Sequence, residues 1–240
     1  MGRLRAILFD IDDTLFSTTQ FSRTARRNAI RAMIEAGLDV PEDEALRELD
    51  EVISEFSSNY DHHYDQLLRR LRPHGLDHLN SALIVAAGVA AYHDTKFRQL
   101  EPFSDVFPLL NALKVAGVQI GIVTHGWTTK QAEKIVRLGL LPYVDPQAIF
   151  ISDQIGISKP NPKLYAQALT DLGHPPGEVM FVGDSPTHDV APPQAVGMIA
   201  VWAKRAAKHG LEGTGIEPDH VVADFEELRE ILRTTYELAV

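Results

Sequence analysis

Three carboxylates follow directly after the first apolar segment of the chain. Residues 6–9 form an apolar run typical of a buried strand, and Asp10, Asp12 and Asp13 come at its end. Reactive groups in open α/β sheets lie just beyond the carboxyl ends of the strands. The side chains of Asp10 and Asp12 can lean toward one pocket, where their repulsion is large unless a divalent cation or a shared proton relieves it. The cluster indicates a cation site, although by itself it is equally typical of a helix cap or a turn.

A second apolar run, residues 119–123, ends in Thr124, His125 and Gly126 before a helical stretch at residues 129–138. The start of a helix offers unpaired backbone N–H groups that suit a phosphate. The Thr124 hydroxyl adds a donor, Gly126 lets the backbone approach closely, and the His125 imidazole could add a second cation. Alone, a threonine here could equally serve only as a helix cap.

Two further segments contribute charged groups. Lys159 precedes Pro160, which disfavours a helix at the lysine and gives the residue an extended conformation. Its ammonium could bind a phosphate or compensate buried carboxylates. A third apolar run, residues 179–182, leads to Asp184, which is placed like Asp10 and could complete an oxygen-rich cation site. Asp189 follows five residues later, and its position suits the orientation of a metal ligand better than direct ligation.

These motifs, in the order Asp-x-Asp-x-Thr, strand-end Thr, Lys-Pro and Gly-Asp-x4-Asp, resemble those of the haloacid dehalogenase-like (HAD) hydrolase superfamily, subfamily I, which has a helical cap. The resemblance covers most of the chain. It implies that Asp10 is a nucleophile that forms an aspartyl-phosphate and that Asp12 is the general acid and base. Thr124 and Lys159 would bind the phosphoryl group and balance charge. Asp10, the backbone carbonyl of Asp12, and Asp184 would hold Mg²⁺.

The carboxyl group of Asp12 favours a phosphatase that acts on a small phosphorylated metabolite. A phosphatase must protonate the leaving oxygen and then take a proton from the attacking water. The 2-haloacid dehalogenases attack carbon, expel halide without protonation and as a family lack this second Asp. A dehalogenase-type hydrolase and a non-enzymatic binding member of the fold remain the alternatives. A non-enzymatic member would be expected to have lost Asp10 or Asp12, and this chain has both.

Composition limits the other classes of function. The chain has 240 residues with a net charge of −10, which disfavours nucleic acid as a partner. It contains no cysteine, so thiol catalysis and disulfides are excluded. No segment at the start of the chain reaches the length of a signal peptide or a membrane span, so we expect a cytoplasmic protein without a membrane partner. A homodimer is compatible with the sequence.

Strand-like and helical segments alternate over most of the chain, which predicts an α/β fold with a doubly wound, Rossmann-like parallel sheet. The predicted strands are residues 6–9, 119–123, 148–151, 179–182, 198–201 and 221–222. The predicted helices are residues 106–116, 129–138, 162–172, 191–196 and 225–238.

The interval from residue 17 to residue 99 interrupts this alternation, because it has no strand-like run. We expect a helical insertion there, with a core built from residues 1–16 and 100–240. The resemblance identifies the insertion as a cap domain that could close over the site and exclude water. Its helices are predicted at residues 22–36, 41–59, 64–72 and 76–93, and its hinges at residues 16–19 and 100–104.

Within the predicted cap, His62, His63 and Tyr64 form a polar aromatic cluster. Adjacent histidines on a helix face different directions, so the two rarely bind one metal. The ordinary interpretation is a solvated surface or a helix cap. The alternative is that some of these side chains face the active site and recognise the leaving group.

Overall fold

A computed structural model describes residues 3–57, 60–71 and 80–240. The chain divides into two compact units. One consists of Met1–Thr18 and Glu101–Val240, and we call it the α/β unit. The other consists of Thr19–Leu100, and we call it the helical unit.

The α/β unit is built on a parallel sheet, as the alternation of segments predicted. Its six strands are β1 (Ala6–Phe9), β2 (Gln119–Thr124), β3 (Ile149–Ile151), β4 (Val179–Gly183), β5 (Ile199–Ala203) and β6 (His220–Val222). They lie in the order β3-β2-β1-β4-β5-β6. Such a sheet is covered on both faces, which explains why its two central strands, β1 and β4, are apolar at every position.

The register of the central strands determines which side chains meet at the carboxyl edge of the sheet. Phe9 is paired with Ile122 of β2 on one side and with Val182 of β4 on the other. The residues that follow these three positions therefore emerge at the same edge, within reach of one another. They include Asp10, Thr124 and Asp184, as expected from the sequence.

The helices of the α/β unit follow the prediction closely, with two clear differences. A short helix at Ser152–Ile155 was not predicted. The terminal helix ends at Thr234, four residues earlier than predicted. The apolar Leu238 is nevertheless buried, because the chain folds back and the Leu238 amide donates to the carbonyl of Leu232. The helices are α5 (Val106–Val115), α6 (Thr128–Arg137), α7 (Ser152–Ile155), α8 (Pro162–Leu172), α9 (Ala191–Ala195) and α10 (Phe225–Thr234).

The helical unit contains α1 (Thr18–Glu35, whose first residue belongs to the α/β unit), α2 (Glu42–Phe56), α3 (His63–Leu71) and α4 (Ser81–Gln99). It has its own apolar core, which includes a buried residue from each helix: Ile30, Leu49, Leu67 and Ile84. Within its described residues the unit contains no strand, in agreement with the sequence.

Three helices in this unit have boundaries that differ from the prediction by more than one residue. The first helix begins at Thr18, so the predicted hinge at residues 16–19 overlaps its first turn. The second helix ends at Phe56 rather than at residue 59. The fourth begins after Asn80, whose side chain accepts a hydrogen bond from the Ala82 amide, and continues six residues beyond the predicted end. Residues 76–79 of that prediction lie outside the described part of the chain.

Among the described residues, no helix is both long enough and apolar enough to cross a membrane.

Candidate active site

Asp10 and Lys159 form a buried ion pair at the carboxyl end of β1. The Asp10 amide donates to the carbonyl of Val182 at 2.9 Å, which continues the pairing of β1 with β4. The Lys159 ammonium lies 2.7 Å from Asp10 Oδ1 and 2.7 Å from Asp189 Oδ1. The structure therefore brings Lys159 to the predicted nucleophile, where one cation faces two carboxylates.

Asp10, Asp184 and Asp189 form an acidic cluster that could hold a metal ion. One carboxylate oxygen from each residue lies within 4.8 Å of the other two. A donor set made only of oxygen atoms suits a hard divalent cation such as Mg²⁺. Asp10 and Asp184 were predicted to be ligands, and Asp189 was expected only to orient one. One of its carboxylate oxygens lies in the same cluster as theirs.

The protonation equilibria of the cluster also favour a bound cation. Burial raises the pKa of Asp10 well above its ordinary value, although Lys159 opposes the shift. Burial, together with Asp189 and Asp13, raises the pKa of Asp184 to about 7. Burial would lower the pKa of Lys159, but Asp10 and Asp189 hold it well above its usual range. One lysine does not compensate the buried carboxylates, and a divalent cation would supply the missing positive charge.

The turn after β4 fixes the position of Asp189. A short π-helix, Pro186–Val190, carries the residue back toward the end of the strand. Asp189 Oδ2 accepts a hydrogen bond from the Ser185 amide at 3.0 Å. A Cβ atom at Gly183 would lie only 2.4 Å from the Cβ of Asp189, so no side chain fits at this position. The glycine before Asp184 is therefore required by the close approach of Asp189.

The Asp12 carboxylate lies outside the acidic cluster and has partners of its own. Thr18 Oγ1 donates to Asp12 Oδ1 at 2.9 Å, and Gln131 Nε2 donates to Oδ2 at 3.3 Å. The Lys134 ammonium donates to both carboxylate oxygens, at 2.7 and 2.5 Å. Burial would raise the pKa of Asp12, but Lys134 and the hydrogen bonds bring it below its ordinary value. The predicted metal site would use the backbone carbonyl of Asp12, which these side-chain contacts do not involve.

Thr124 is fully buried and does not cap α6. Its hydroxyl donates to Gln131 Oε1 at 3.1 Å. The helix begins four residues later, and its first amide, that of Thr128, donates to the carboxylate of Asp153 at 2.9 Å. The simple interpretation of Thr124 as a helix cap is therefore wrong, because the strand continues through this residue and Asp153 satisfies the helix start.

The residues after Thr124 are also held within the α/β unit. The Gly126 amide donates to Ser152 Oγ at 3.0 Å, and Gly126 has a φ of 135°, which favours glycine. His125 Nδ1 lies 2.8 Å from Ser158 Oγ. Burial, followed by the charges of Lys159 and His188, lowers the pKa of His125. This shift favours a neutral imidazole over the second cation that the sequence allowed.

Sequence reasoning missed Gln131 and Lys134. Both lie on α6, three residues apart and therefore on neighbouring positions of one helix face. Gln131 shares the buried side of the helix with Ile135 and Leu138. A polar residue on a buried face needs a hydrogen-bond partner, and this pattern could have identified it. The distance of Lys134 from Asp12 along the sequence left no comparable signal.

The polar aromatic cluster of the helical unit is engaged in local contacts. His63 Nε2 lies 2.7 Å from the Ser57 carbonyl, and the His63 ring lies against Tyr60 with a centroid distance of 5.5 Å. Tyr64 packs against the core of the helical unit, and burial raises its pKa. His62 Nδ1 lies 3.5 Å from a carboxylate oxygen of Asp65, and 69% of the His62 side chain is exposed. The contacts of His62 and His63 fit a surface and helix-start cluster, whereas Tyr64 packs into the helical unit.

Comparisons with known proteins agree with the motifs. The model of the haloacid dehalogenase-like hydrolase family matches residues 4–197. A protein of Methanopyrus kandleri named glyceraldehyde 3-phosphate phosphatase is 44% identical over 240 residues, which cover 98% of this chain and 99% of that protein.

Solved structures share the fold. A HAD phosphatase from Thermococcus onnurineus has a TM-score of 0.64 and 27% identity, and the match covers 95% of this chain and 98% of that one. A 2-haloacid dehalogenase from Pseudomonas syringae pv. Tomato DC3000 has a TM-score of 0.57 over 95% of this chain and 98% of that one. It is 24% identical, so this likeness concerns the fold alone. The four motifs, the parallel sheet and the family match together show that the chain belongs to the haloacid dehalogenase-like hydrolases.

Proposed function

We propose that this protein is a Mg²⁺-dependent phosphatase that hydrolyses small phosphate monoesters through an aspartyl-phosphate on Asp10. The observation that carries the proposal is the placement of Asp10. Its carboxylate contacts the Lys159 ammonium at 2.7 Å and shares an oxygen-only cluster with Asp184 and Asp189. A second carboxylate, that of Asp12, follows two residues later and is available for proton transfer.

In the first step, a carboxylate oxygen of Asp10 attacks phosphorus, and the bond between phosphorus and the ester oxygen breaks. Asp12 donates a proton to the departing oxygen, which leaves as an alcohol. Lys159 and the backbone at His125 would hold the phosphoryl oxygens. The Thr124 hydroxyl and the Gly126 amide would join them by exchanging their present acceptors, Gln131 Oε1 and Ser152 Oγ, for phosphoryl oxygens. Phosphoryl transfer depends mainly on such positioning and on neutralisation of charge.

In the second step, water attacks the phosphorus of the aspartyl-phosphate, and Asp12 takes a proton from that water. The bond between Asp10 and phosphorus breaks, which restores the Asp10 carboxylate and releases inorganic phosphate. A Mg²⁺ ion held by Asp10, the backbone carbonyl of Asp12, and Asp184 would offset the negative charge on the phosphoryl oxygens. Asp189 would orient these ligands, because its own carboxylate is held by the Lys159 ammonium and by the Ser185 amide.

The substrate that we propose is a small sugar phosphate, and glyceraldehyde 3-phosphate is the first compound to test. The relative from Methanopyrus kandleri carries that substrate in its name and matches nearly the whole chain. We further propose that the helical unit acts as the cap domain and that it supplies specificity. Recognition of the leaving group by His62, His63 or Tyr64 stays a prediction, as do the cytoplasmic location and the homodimer.

The two alternatives have weaker support. A 2-haloacid dehalogenase would not need a carboxyl group at position 12, whereas here a dedicated set of partners holds one. A non-enzymatic binding protein would not need to keep a nucleophile and a proton donor together. The solved dehalogenase described above resembles this chain in its fold only.

The test is release of inorganic phosphate from glyceraldehyde 3-phosphate and p-nitrophenyl phosphate, with Mg²⁺ and with EDTA. We expect turnover that EDTA removes and that Asp10→Asn reduces by at least about 10³-fold. Asp171→Asn is a matched control, because Asp171 is an exposed carboxylate on α8. A 2-chloropropionate assay measures the rival activity. Release of chloride without added metal, or full phosphatase activity in Asp10→Asn, would overturn the proposal.

A further inference from the structure

Two side chains of α6, those of Gln131 and Lys134, donate hydrogen bonds to the carboxylate of Asp12. We propose that Lys134, together with Gln131, is a positioning residue that fixes the direction of the Asp12 carboxylate and so governs proton delivery to the leaving group. The inference rests on the proposed function, because it concerns how Asp12 performs the proton transfers described above. Lys134 itself transfers no proton and does not contact the phosphoryl group in this scheme.

The contact of Lys134 with Asp12 involves both oxygens of the carboxylate. The ammonium lies 2.7 Å from Oδ1 and 2.5 Å from Oδ2, so it sits between the two oxygens and opposes rotation of the group. Only 19% of the Lys134 side chain is exposed, against 30% for Asp12. Lys134 is thus largely shielded from water, whereas Asp12 keeps an accessible part that a substrate could reach.

Gln131 connects the same carboxylate to the predicted phosphate-binding segment. Its amide oxygen accepts from Thr124 Oγ1 at 3.1 Å. Its amide nitrogen lies 2.8 Å from the His125 carbonyl and 3.3 Å from Asp12 Oδ2. One buried side chain therefore links Thr124 and Asp12, the groups assigned to the phosphoryl oxygens and to the leaving oxygen.

The helix that carries both residues is itself well fixed. Asp153 accepts hydrogen bonds from the Thr128 amide at 2.9 Å and from the Thr128 hydroxyl at 2.7 Å. Ile135 and Leu138 bury the face next to Gln131 in the α/β unit. Because α6 is fixed at its start and along this face, Lys134 can hold the carboxylate of Asp12 to a narrow range of directions.

The loss of rate caused by a misdirected Asp12 should depend on the leaving group of the substrate. A phenolate made acidic by a nitro group departs with little help, whereas an unsubstituted phenolate needs more protonation as the bond to phosphorus breaks. A misdirected Asp12 should therefore slow phenyl phosphate much more than p-nitrophenyl phosphate. The two esters are nearly equal in size, so a defect in binding or folding would affect them alike.

The experiment compares Lys134→Met with the parent protein on both esters in the presence of Mg²⁺. We expect kcat on phenyl phosphate to fall roughly 10²-fold and kcat on p-nitrophenyl phosphate to fall less than about tenfold, with KM nearly unchanged. Lys134→Arg should restore part of the lost rate. Lys130→Met is the matched control, because Lys130 lies on the same helix over the Trp127 ring, 4.3 Å from its centroid.

A double-mutant cycle tests whether Lys134 acts through Asp12. In an Asp12→Asn background, Lys134→Met should cause less than about a threefold further loss on phenyl phosphate. If Lys134→Met does not fold, Lys134→Gln removes the charge but keeps a polar side chain, and the same bias between the esters is expected. Equal losses on both esters, or a full further loss in the Asp12→Asn background, would overturn the inference. No phosphate release from either ester by the parent protein would overturn the proposed function itself.

Discussion

The ammonium of Lys159 lies 2.7 Å from a carboxylate oxygen of Asp10, and 3% and 9% of the two side chains are exposed. The same ammonium is 2.7 Å from Asp189, whose side chain is equally buried. Ions shielded from water to this degree are tolerated only when they compensate one another. The lysine therefore compensates the charge of both buried carboxylates.

Removal of this cation should affect stability and activity together. Lys159→Met leaves two buried carboxylates without their partner, so we expect the free energy of unfolding to fall by about 3–5 kcal/mol without metal. Phosphatase activity should fall by at least about 10²-fold. Urea denaturation and phosphate release measure the two effects. Lys163→Met is the control, because Lys163 is an exposed lysine on α8. A Lys159→Met protein as stable as the control would contradict the structural role.

Mg²⁺ should stabilise the protein through Asp184. At a concentration near 100 times its dissociation constant, an ion that binds only the folded state adds about 2.7 kcal/mol, which raises Tm by roughly 5–10 °C in a protein of this size. Asp184→Asn should lose most of this shift, whereas Asp171→Asn should keep it. Thermal melts with Mg²⁺ and with EDTA measure the shift, and an undiminished shift in Asp184→Asn would exclude this residue as a ligand.

The same carboxylate should make the metal-free protein sensitive to pH. Burial, together with Asp189 and Asp13, raises the pKa of Asp184 to about 7, so the folded state holds a proton that the unfolded chain loses near pH 4. Stability is therefore lost as pH rises from about 4 through 7. In EDTA, we expect Asp184→Asn to become more stable relative to the parent between pH 5 and pH 8. A pH-independent difference in Tm between the two would argue against the shift.

A methyl group at position 183 should disturb the acidic cluster. In Gly183→Ala the added Cβ would lie 2.4 Å from the Cβ of Asp189, so the backbone or the aspartate must move. We expect at least a tenfold loss of activity and a loss of about 1–3 kcal/mol in stability. In Gly177→Ala the new Cβ would meet no atom within 4 Å, so this control should behave like the parent. If Gly183→Ala and Gly177→Ala have similar kinetics, the site tolerates the movement of Asp189 or of the backbone at position 183.

The ion pair between Asp105 and Arg205 should make the stability of the protein depend on pH in the acid range. Asp105 accepts hydrogen bonds from Arg205 at 2.8 Å and from the Phe225 amide at 2.9 Å. Burial would raise the pKa of Asp105, but these contacts lower it below its ordinary value. The stabilisation is therefore present above about pH 4 and is lost as pH falls through the folded-state pKa.

We expect Asp105→Asn to lower the free energy of unfolding by about 1–3 kcal/mol at pH 7. The difference from the parent should shrink as the pH falls below 4. Urea denaturation at several pH values measures it, with Asp171→Asn as the control. A difference that stays constant down to pH 3 would show that Asp105 is not the titrating partner.

The strands and the groups at their ends could be predicted because the relevant signals are local. A parallel strand is apolar along its whole length, and the first polar residue after it marks the edge of the sheet. Asp10, Thr124 and Asp184 were found in this way. Helix ends were less certain, because the Asn80 cap and the folded-back Leu238 depend on single hydrogen bonds that the apolar pattern does not reveal.

The partners of the predicted residues could not be found from sequence, because they depend on the packing of distant segments. Lys134 lies on the second helix after Asp12 in the α/β unit, and no spacing rule connects the two. The closeness of Asp189 to Asp10 and Asp184 also depends on local packing, because the π-helix and the absence of a side chain at Gly183 bring its carboxylate up to the cluster.

The central position of β1 has a consequence for the order of events on the ribosome. This strand is synthesised first, yet its two neighbours begin at Gln119 and Val179. The apolar β1 therefore stays unpaired at its edges until most of the chain has left the ribosome. The helical unit, by contrast, can form from contacts within Thr19–Leu100. A nascent chain that ends before Val179 leaves one edge of β1 open, and we expect it to associate with chaperones or to aggregate.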